Sequence, residues 1–224
     1  NPDFTIVPEV AYDYIEPDAA LEQAVAQAQV LCFGTLAQRS AVSRGTLWRL
    51  REAFRGRWAL LDINLRRGCY SRQSIVDSIE RADILKANDA EARVLAEIYG
   101  LPGEPLPALA RGLLGVARLS CVVITLGAGG ALALSREGEL RYHPAYAVRV
   151  VDTVGSGDAF TAAFLIALLR GRGLGAALRE GNALGALVAT QKGATQPASP
   201  EELEEFCASA PLAPADPGLA RFLG

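Results

Sequence analysis

Short apolar runs alternating with amphipathic stretches predict an α/β fold, with a mainly parallel, doubly wound sheet between layers of helices. Three observations carry this reading. Val30-Leu31-Cys32-Phe33 and Cys121-Val122-Val123-Ile124-Thr125-Leu126 are continuous apolar runs, the pattern of strands buried on both faces. Between such runs, apolar residues recur at helical spacing. The runs also end in Gly, Thr, Asp or Asn, at the strand ends beyond which open parallel sheets bind ligands.

Taken in order, the strand at 30–33 closes on Gly34-Thr35, and residues 41–54 place Val42, Leu47, Leu50 and Phe54 at helical spacing. Residues 58–64 are a strand running into Asp62-Ile63-Asn64. Ser71 is a natural cap for a helix through Ile75, Val76 and Ile79. Residues 83–88 form a short strand, Asp89 and Glu91 open a helix, and Gly100 stops it. A loop at 102–107 precedes a helix around 109–117. The strand at 121–126 leads through Gly127-Ala128-Gly129-Gly130 into a hairpin turning at 136–139, with extended chain to Val151. Residues 157–169 and 174–191 are strongly helical, and Pro200 starts a late helix. Residues 210–224 are rich in Pro, Ala and Gly and read as a tail.

Composition narrows the function classes. Half of the 224 residues are apolar, ample for a large core, and the net charge of −3 argues against nucleic acid as an electrostatic partner. No run is long and apolar enough for a membrane span, so no membrane is expected as partner. The four cysteines are widely spaced, with Cys32 and Cys121 in runs that read as buried strands, which suggests a reduced, cytoplasmic protein. His143 is the one histidine, which nearly excludes His-based triads and multi-His metal sites, and its setting reads as plain surface. There is no methionine and the chain opens at Asn1-Pro2-Asp3, so it reads as part of a longer protein.

The most informative segment is Val151-Asp152-Thr153-Val154-Gly155-Ser156-Gly157-Asp158-Ala159-Phe160. Two glycines run straight into an apolar helix, so consecutive N–H groups can form an anion nest at a positive helix end. A carboxylate at that point repels a resident phosphate. It makes sense beside a phosphoryl group in transfer: the amides of Gly155, Ser156 and Gly157 stabilise charge while Asp158 takes the proton of an attacking hydroxyl. Without other support, a glycine-rich turn with an acid placed favourably in a helix's first turn is the leading reading of a lone Gly-x-Gly-Asp.

The Asp-Thr-x-Gly-x-Gly-Asp run resembles the C-terminal signature of the PfkB, or ribokinase-like, carbohydrate kinases. Three more segments fit that family in order. Asn88-Asp89-Ala90-Glu91 is similar to its Asn-x-x-Glu motif, which implies Asn88 and Glu91 as residues that place Mg²⁺ and phosphate, mostly through water. On spacing alone the same pair reads as a helix cap with its capping box. Thr125, Gly127 and Gly129 lie in a turn that resembles the family's border of the nucleotide, although a plain turn between strands fits too. Asp62-Ile63-Asn64-Leu65-Arg66 resembles a segment of fructokinase and ketodeoxygluconate kinase-like members, which makes Arg66 either a phosphate clamp or a solvated charge. Asn182 sits where the family's adenine-flanking helix lies, or else satisfies a helix neighbour, and Lys192-Gly193-Ala194 is similar to the following nucleotide-side loop. Lys86 reads as a strand lysine that snorkels.

The resemblance covers residues 30–199 and implies a ribokinase-like fold. It implies ATP-dependent phosphorylation of a sugar or sugar-acid hydroxyl, with ATP and Mg²⁺ as cofactors. It further implies a K⁺ ion near Asp152 and Val154 and a homodimer for the full-length protein. A nucleoside kinase of the same fold, or a non-catalytic sugar- or nucleotide-binding regulator, are the other readings. The expected organisation is one α/β kinase domain over 1–224, incomplete at its N-terminus, with a lid remnant within 1–20. The family's first strand, Gly-Gly motif and many of its sugar contacts have no counterpart before Val30.

Overall fold

The computed structural model of the chain describes residues 6–223. Residues 1–5, the start of the lid remnant expected within 1–20, lie outside the described residues. The chain divides into two compact units, 1–122 and 123–224.

The first unit runs α1 (Ala19–Gln27), β1 (Val30–Phe33), α2 (Ala41–Ala53), β2 (Trp58–Asp62), α3 (Arg72–Glu80), β3 (Ile84–Asn88), α4 (Asp89–Tyr99) and α5 (Leu106–Val116), and ends within β4 (Cys121–Thr125). The second contains β5 (Ala131–Ser135), β6 (Leu140–His143), α6 (Ser156–Leu169), α7 (Gly173–Ala189) and α8 (Pro200–Ser209). Within the first unit the strand order is β1, β2, β3. β1 pairs parallel with β2, and β2 with β3, whereas β5 and β6 form an antiparallel hairpin.

In the first unit, Leu60 and Leu61 of β2 and Leu85 of β3 are fully buried, as the continuous apolar runs require. Ile75 and Ile79 of α3 and Leu95 of α4 are buried too. Each such side chain contributes about 1.5–3 kcal/mol relative to exposure. The register pairs Phe33 with Leu61, Leu61 with Leu85 and Asp62 with Lys86. Gly34-Thr35, Asp62-Ile63-Asn64 and Asn88 therefore end on one edge of this unit's strands. Cys32, expected inside, is exposed, because β1 ends the strand order and one of its faces is open.

The lid remnant expected within 1–20 is not a strand among its described residues. Residues 11–13 form a 3-10 turn, and α1 begins at Ala19, capped by Asp18. The reason is electrostatic. Arg39 grips Asp13 through two bonds, Nε to Oδ1 at 2.8 Å and Nη2 to Oδ2 at 2.7 Å, and Nη2 also donates to the Val7 carbonyl at 2.7 Å. That side-chain bonding holds the Asp13 carboxyl below the usual carboxylate range.

In the second unit, the α6–α7 contact sets the geometry that matters. Gly181 and Gly185 of α7 face the first turns of α6; a Cβ on Gly181 would lie 2.9 Å from the Phe160 ring, and one on Gly185 would lie 3.1 Å from the Ser156 carbonyl. Ser156 Oγ donates to the Gly185 carbonyl at 2.8 Å. The Pro/Ala/Gly-rich tail is docked: Ala147 N–H donates to the Pro211 carbonyl at 2.7 Å and Ala213 N–H to the Ala145 carbonyl at 2.8 Å. Among the described residues no helix is long and apolar enough to cross a membrane.

Two glycine replacements separate space from conformation. Gly181→Val should lower stability by about 1–3 kcal/mol through overpacking against Phe160. Gly115→Ala, on the open side of α5 where an added Cβ meets nothing within 4 Å, should raise it by about 0.4–1 kcal/mol. Denaturant midpoints at constant slope measure both.

Candidate active site

The glycine loop and α6 supply the site of the second unit. Gly155 is the N-cap of α6 with φ +79°, and a Cβ there would come 2.5 Å from the Cβ of Ala194. Only glycine accepts both constraints. The first helical bond of α6 is Ala159 N–H to the Gly155 carbonyl at 2.8 Å. Ser156 N–H turns back to the Thr153 carbonyl at 3.2 Å. The N–H groups of Gly157 and Asp158 thus have no acceptor among the described residues, at the positive end of a 14-residue helix. The Asp158 side chain is exposed beside them, with no hydrogen bond or ion pair to another described residue.

Asp152 is placed differently. Its Oδ1 accepts from Val154 N–H at 3.0 Å and its Oδ2 from Gly193 N–H at 3.4 Å, so it ties the start of the loop to the Lys192-Gly193-Ala194 segment. Thr125 ends β4, and Gly127 and Gly129 lie in a 3-10 turn closed by the bond from Leu126 N–H to the Gly130 carbonyl at 2.8 Å. Asn182 projects from α7, and its amide donates to the carbonyls of His143 at 2.9 Å and Pro144 at 3.2 Å. His143 is buried rather than on the surface, since Asn182 and the ring of Tyr146 close over it.

The first unit holds the other candidates at its strand edge. Asn88 Oδ1 accepts from Glu91 N–H at 2.8 Å, and Glu91 Oε2 accepts from Asn88 N–H at 2.9 Å, a capping box on α4. Glu91 Oε1 accepts from Leu65 N–H at 2.9 Å. The Asn88 carboxamide NH₂ has no acceptor among the described residues, and Arg66 is exposed with its guanidinium unpaired there. Lys86 does not snorkel: it is buried and paired with Asp62 at 2.6 Å, its register partner across β2 and β3. No periodicity marks that pairing; the available signal was one Asp ending an apolar strand and one Lys inside the next.

The glycine loop of the second unit suits an anion such as a phosphoryl group. Its two N–H groups without acceptors, on a backbone that only glycine can form, are free donors for phosphoryl oxygens. Among the described residues no three His, Cys, Asp or Glu side chains converge on one point. Cavities of about 260 and 270 Å³ open elsewhere, along α8, the first lined by Arg170, Arg172 and Arg179, the second by Leu187, Gln191 and Phe206.

Residues 3–202 match the pfkB family of carbohydrate kinases. The chain is 34% identical to the 2-dehydro-3-deoxygalactonokinase of Haloferax volcanii over 66% of its own length and 46% of that protein's. It is 37% identical to the aminoimidazole riboside kinase of Salmonella typhimurium over 75% of its length and 53% of the relative's. The chain thus spans about half the length of the curated relatives it matches. The crystal structure of aminoimidazole riboside kinase from Salmonella enterica, complexed with aminoimidazole riboside and an ATP analog, superposes with a TM-score of 0.69. It is 26% identical and covers 91% of this chain and 70% of the other.

The geometry around Asn182 yields a pH dependence. Burial lowers the pKa of His143; the Pro144 carbonyl, bonded to its Nδ1 at 2.7 Å, opposes this, and Arg179 adds to the lowering. The fold therefore holds this imidazole neutral where the unfolded chain protonates it. The unfolded state binds more protons in that window, so stability rises with pH. The contribution is complete above the unfolded value near 6.5 and is lost as pH falls through the folded value. Melting temperature should drop between about pH 7.5 and about pH 5.5, and His143→Gln should flatten that slope. With one histidine in the chain, no other imidazole can mimic the effect.

Proposed function

Since the chain belongs to the pfkB family of carbohydrate kinases, we propose that it forms the phosphoryl-transfer part of an ATP-dependent kinase acting on a hydroxyl of a sugar or sugar acid. The observation that carries this reading is the first turn of α6, where an exposed, unpaired carboxylate stands beside two N–H groups without acceptors. A pure binding protein gains nothing from a carboxylate next to a phosphate.

Asp158 accepts the proton of the acceptor hydroxyl. The oxygen–phosphorus bond to the acceptor forms as the bond to the departing ADP breaks, and the proton ends on Asp158. The N–H groups of Gly157 and Asp158, with the Gly155 amide at the cap, stabilise negative charge on the phosphoryl oxygens. Ser156 works through its hydroxyl, which fixes the loop to α7. Bound Mg²⁺ would neutralise phosphate charge. Asn88 and Glu91 would hold its water shell, Asn88 through its open NH₂ and Glu91 through lone pairs left beside its two backbone bonds. Asp152 orders the loop, and a K⁺ ion beside Asp152 and Val154 would find backbone carbonyls there. Arg66 clamps an anionic oxygen of the substrates. Thr125, Gly127, Gly129 and Asn182 border the nucleotide base, Asn182 by shaping the β6 end it bonds. A cytoplasmic homodimer is the setting we expect for the full-length protein.

A nucleoside acceptor is the second reading, favoured by the 37% identity to aminoimidazole riboside kinase. A panel of hexoses, sugar acids and ribonucleosides, run on the full-length protein with ATP, separates the two by kcat/KM. In that protein, Asp158→Asn should cut kcat by roughly 10²–10⁴-fold and leave ATP affinity comparatively intact. Asn88→Ala should show instead as a changed Mg²⁺ dependence. A near wild-type kcat for Asp158→Asn would return the loop to a purely structural role.

A further inference from the structure

Glu91 does more than cap its helix. Its side chain is buried, and each carboxylate oxygen accepts one backbone N–H. The bond to Asn88 belongs to α4. The bond to Leu65 reaches 26 residues back, to the chain that leaves β2. That chain is fixed on its other side as well. Thr35 Oγ1 donates to the Ile63 carbonyl at 2.8 Å, Ile63 N–H donates to the Lys86 carbonyl at 3.0 Å, and Lys86 Nζ holds Asp62.

Between these anchors stands Asn64, with φ +39°, in the left-handed region that side-chain-bearing residues enter at a cost. Asparagine tolerates this region better than most residues, but such a step persists only when its flanks are held. Ile63 is held by Thr35 and Lys86, and Leu65 by Glu91. Arg66 follows immediately, exposed and unpaired among the described residues, so its direction of departure is set by the Asn64 step.

We propose that Glu91 is a positioning residue for Arg66: its bond to Leu65 N–H locks the left-handed turn at Asn64 and aims the guanidinium at an anionic oxygen of the substrates. The proposal rests on the kinase reading and on Arg66 as an anion contact. Glutamine at 91 keeps one acceptor but presents NH₂ to the other N–H, so one of the two bonds is lost. Aspartate keeps the charge but is one methylene too short to serve both N–H groups.

The test is a double-mutant cycle on the full-length protein with saturating Mg²⁺, using Glu91→Gln, Arg66→Ala and both together. Arg66→Ala should cut kcat/KM by about 10–100-fold, the scale of a charge-assisted contact. Glu91→Gln should cut it about 5–20-fold alone and by a clearly smaller factor in the Arg66→Ala background, where only its share in the Mg²⁺ shell is left. Glu91→Asp should behave likewise. Equal losses in both backgrounds, or an unchanged rate in Arg66→Ala, would overturn the proposal. Amide hydrogen exchange gives a readout free of activity. Residues 64–67 should exchange faster in both Glu91 variants while β3 stays protected, and unchanged exchange there overturns the clamp. If the wild-type protein transfers no phosphoryl group to any acceptor, the kinase reading fails, and with it the aim of Arg66. The exchange result then decides the Leu65 bond separately.

Discussion

A helix cannot satisfy the N–H groups of its own first turn, and the way each helix here meets that shortfall divides the molecule's polar chemistry. Asp18, Ser40, Ser71, Asn88 and Ser199 each place a side-chain oxygen on a first-turn N–H, closing the starts of α1, α2, α3, α4 and α8. α5, α6 and α7 have no side-chain cap, and of these α6 begins on Gly155, which has no side chain to offer, while the Ser156 hydroxyl is turned away to Gly185. Giving up a cap costs a few tenths of a kcal/mol with glycine at that position. The helix tolerates it because Phe160, Ala163, Phe164 and Ala167 are buried along its length.

The same accounting distinguishes three carboxylates that look alike in the sequence. Asp152 and Glu91 each direct both oxygens at backbone N–H groups, so each joins two segments. Asp158 makes no such bond. A carboxylate that bridges two N–H groups has its oxygens occupied and its position fixed, whereas an unpaired one is open to a ligand. Sequence position alone does not reveal that difference, because all three follow or precede glycine- and asparagine-rich turns.

Elements carried by local chemistry were legible before any coordinates. The apolar runs of β2 and β4, the Ser71 cap of α3, the capping box of Asn88 and Glu91, and the left-handed Gly100 stop of α4 stand where periodicity and end signals placed them. What escaped depends on partners distant in sequence. α1 is short and alanine-rich, with a weak apolar stripe, so only Asp18 announced it. Residues 11–13 curl because of Arg39, 26 residues away from Asp13. Burial of His143 depends on Asn182, and burial of Lys86 on Asp62; no window of a dozen residues contains either pair. In the candidate site the residue types were readable from motifs. Which backbone groups each one engages was not.

The docked C-terminal segment carries a consequence for how the second unit is made. Tyr142 hydroxyl accepts from Asp216 N–H, a contact that spans 74 residues, and Leu223 bridges the same tyrosine alongside β6. The ribosome therefore releases the hairpin of β5 and β6, then α6, α7 and α8, before the segment that covers β6 exists. Until then the strand presents an open row of backbone donors and acceptors, the kind of surface that pairs with other chains. Contacts of this separation also form late and slowly, after the loop-closure entropy of everything between them has been met. During synthesis the vulnerable surface of this unit is thus a sheet margin, and it stays open until residues 74 positions further along the chain have emerged.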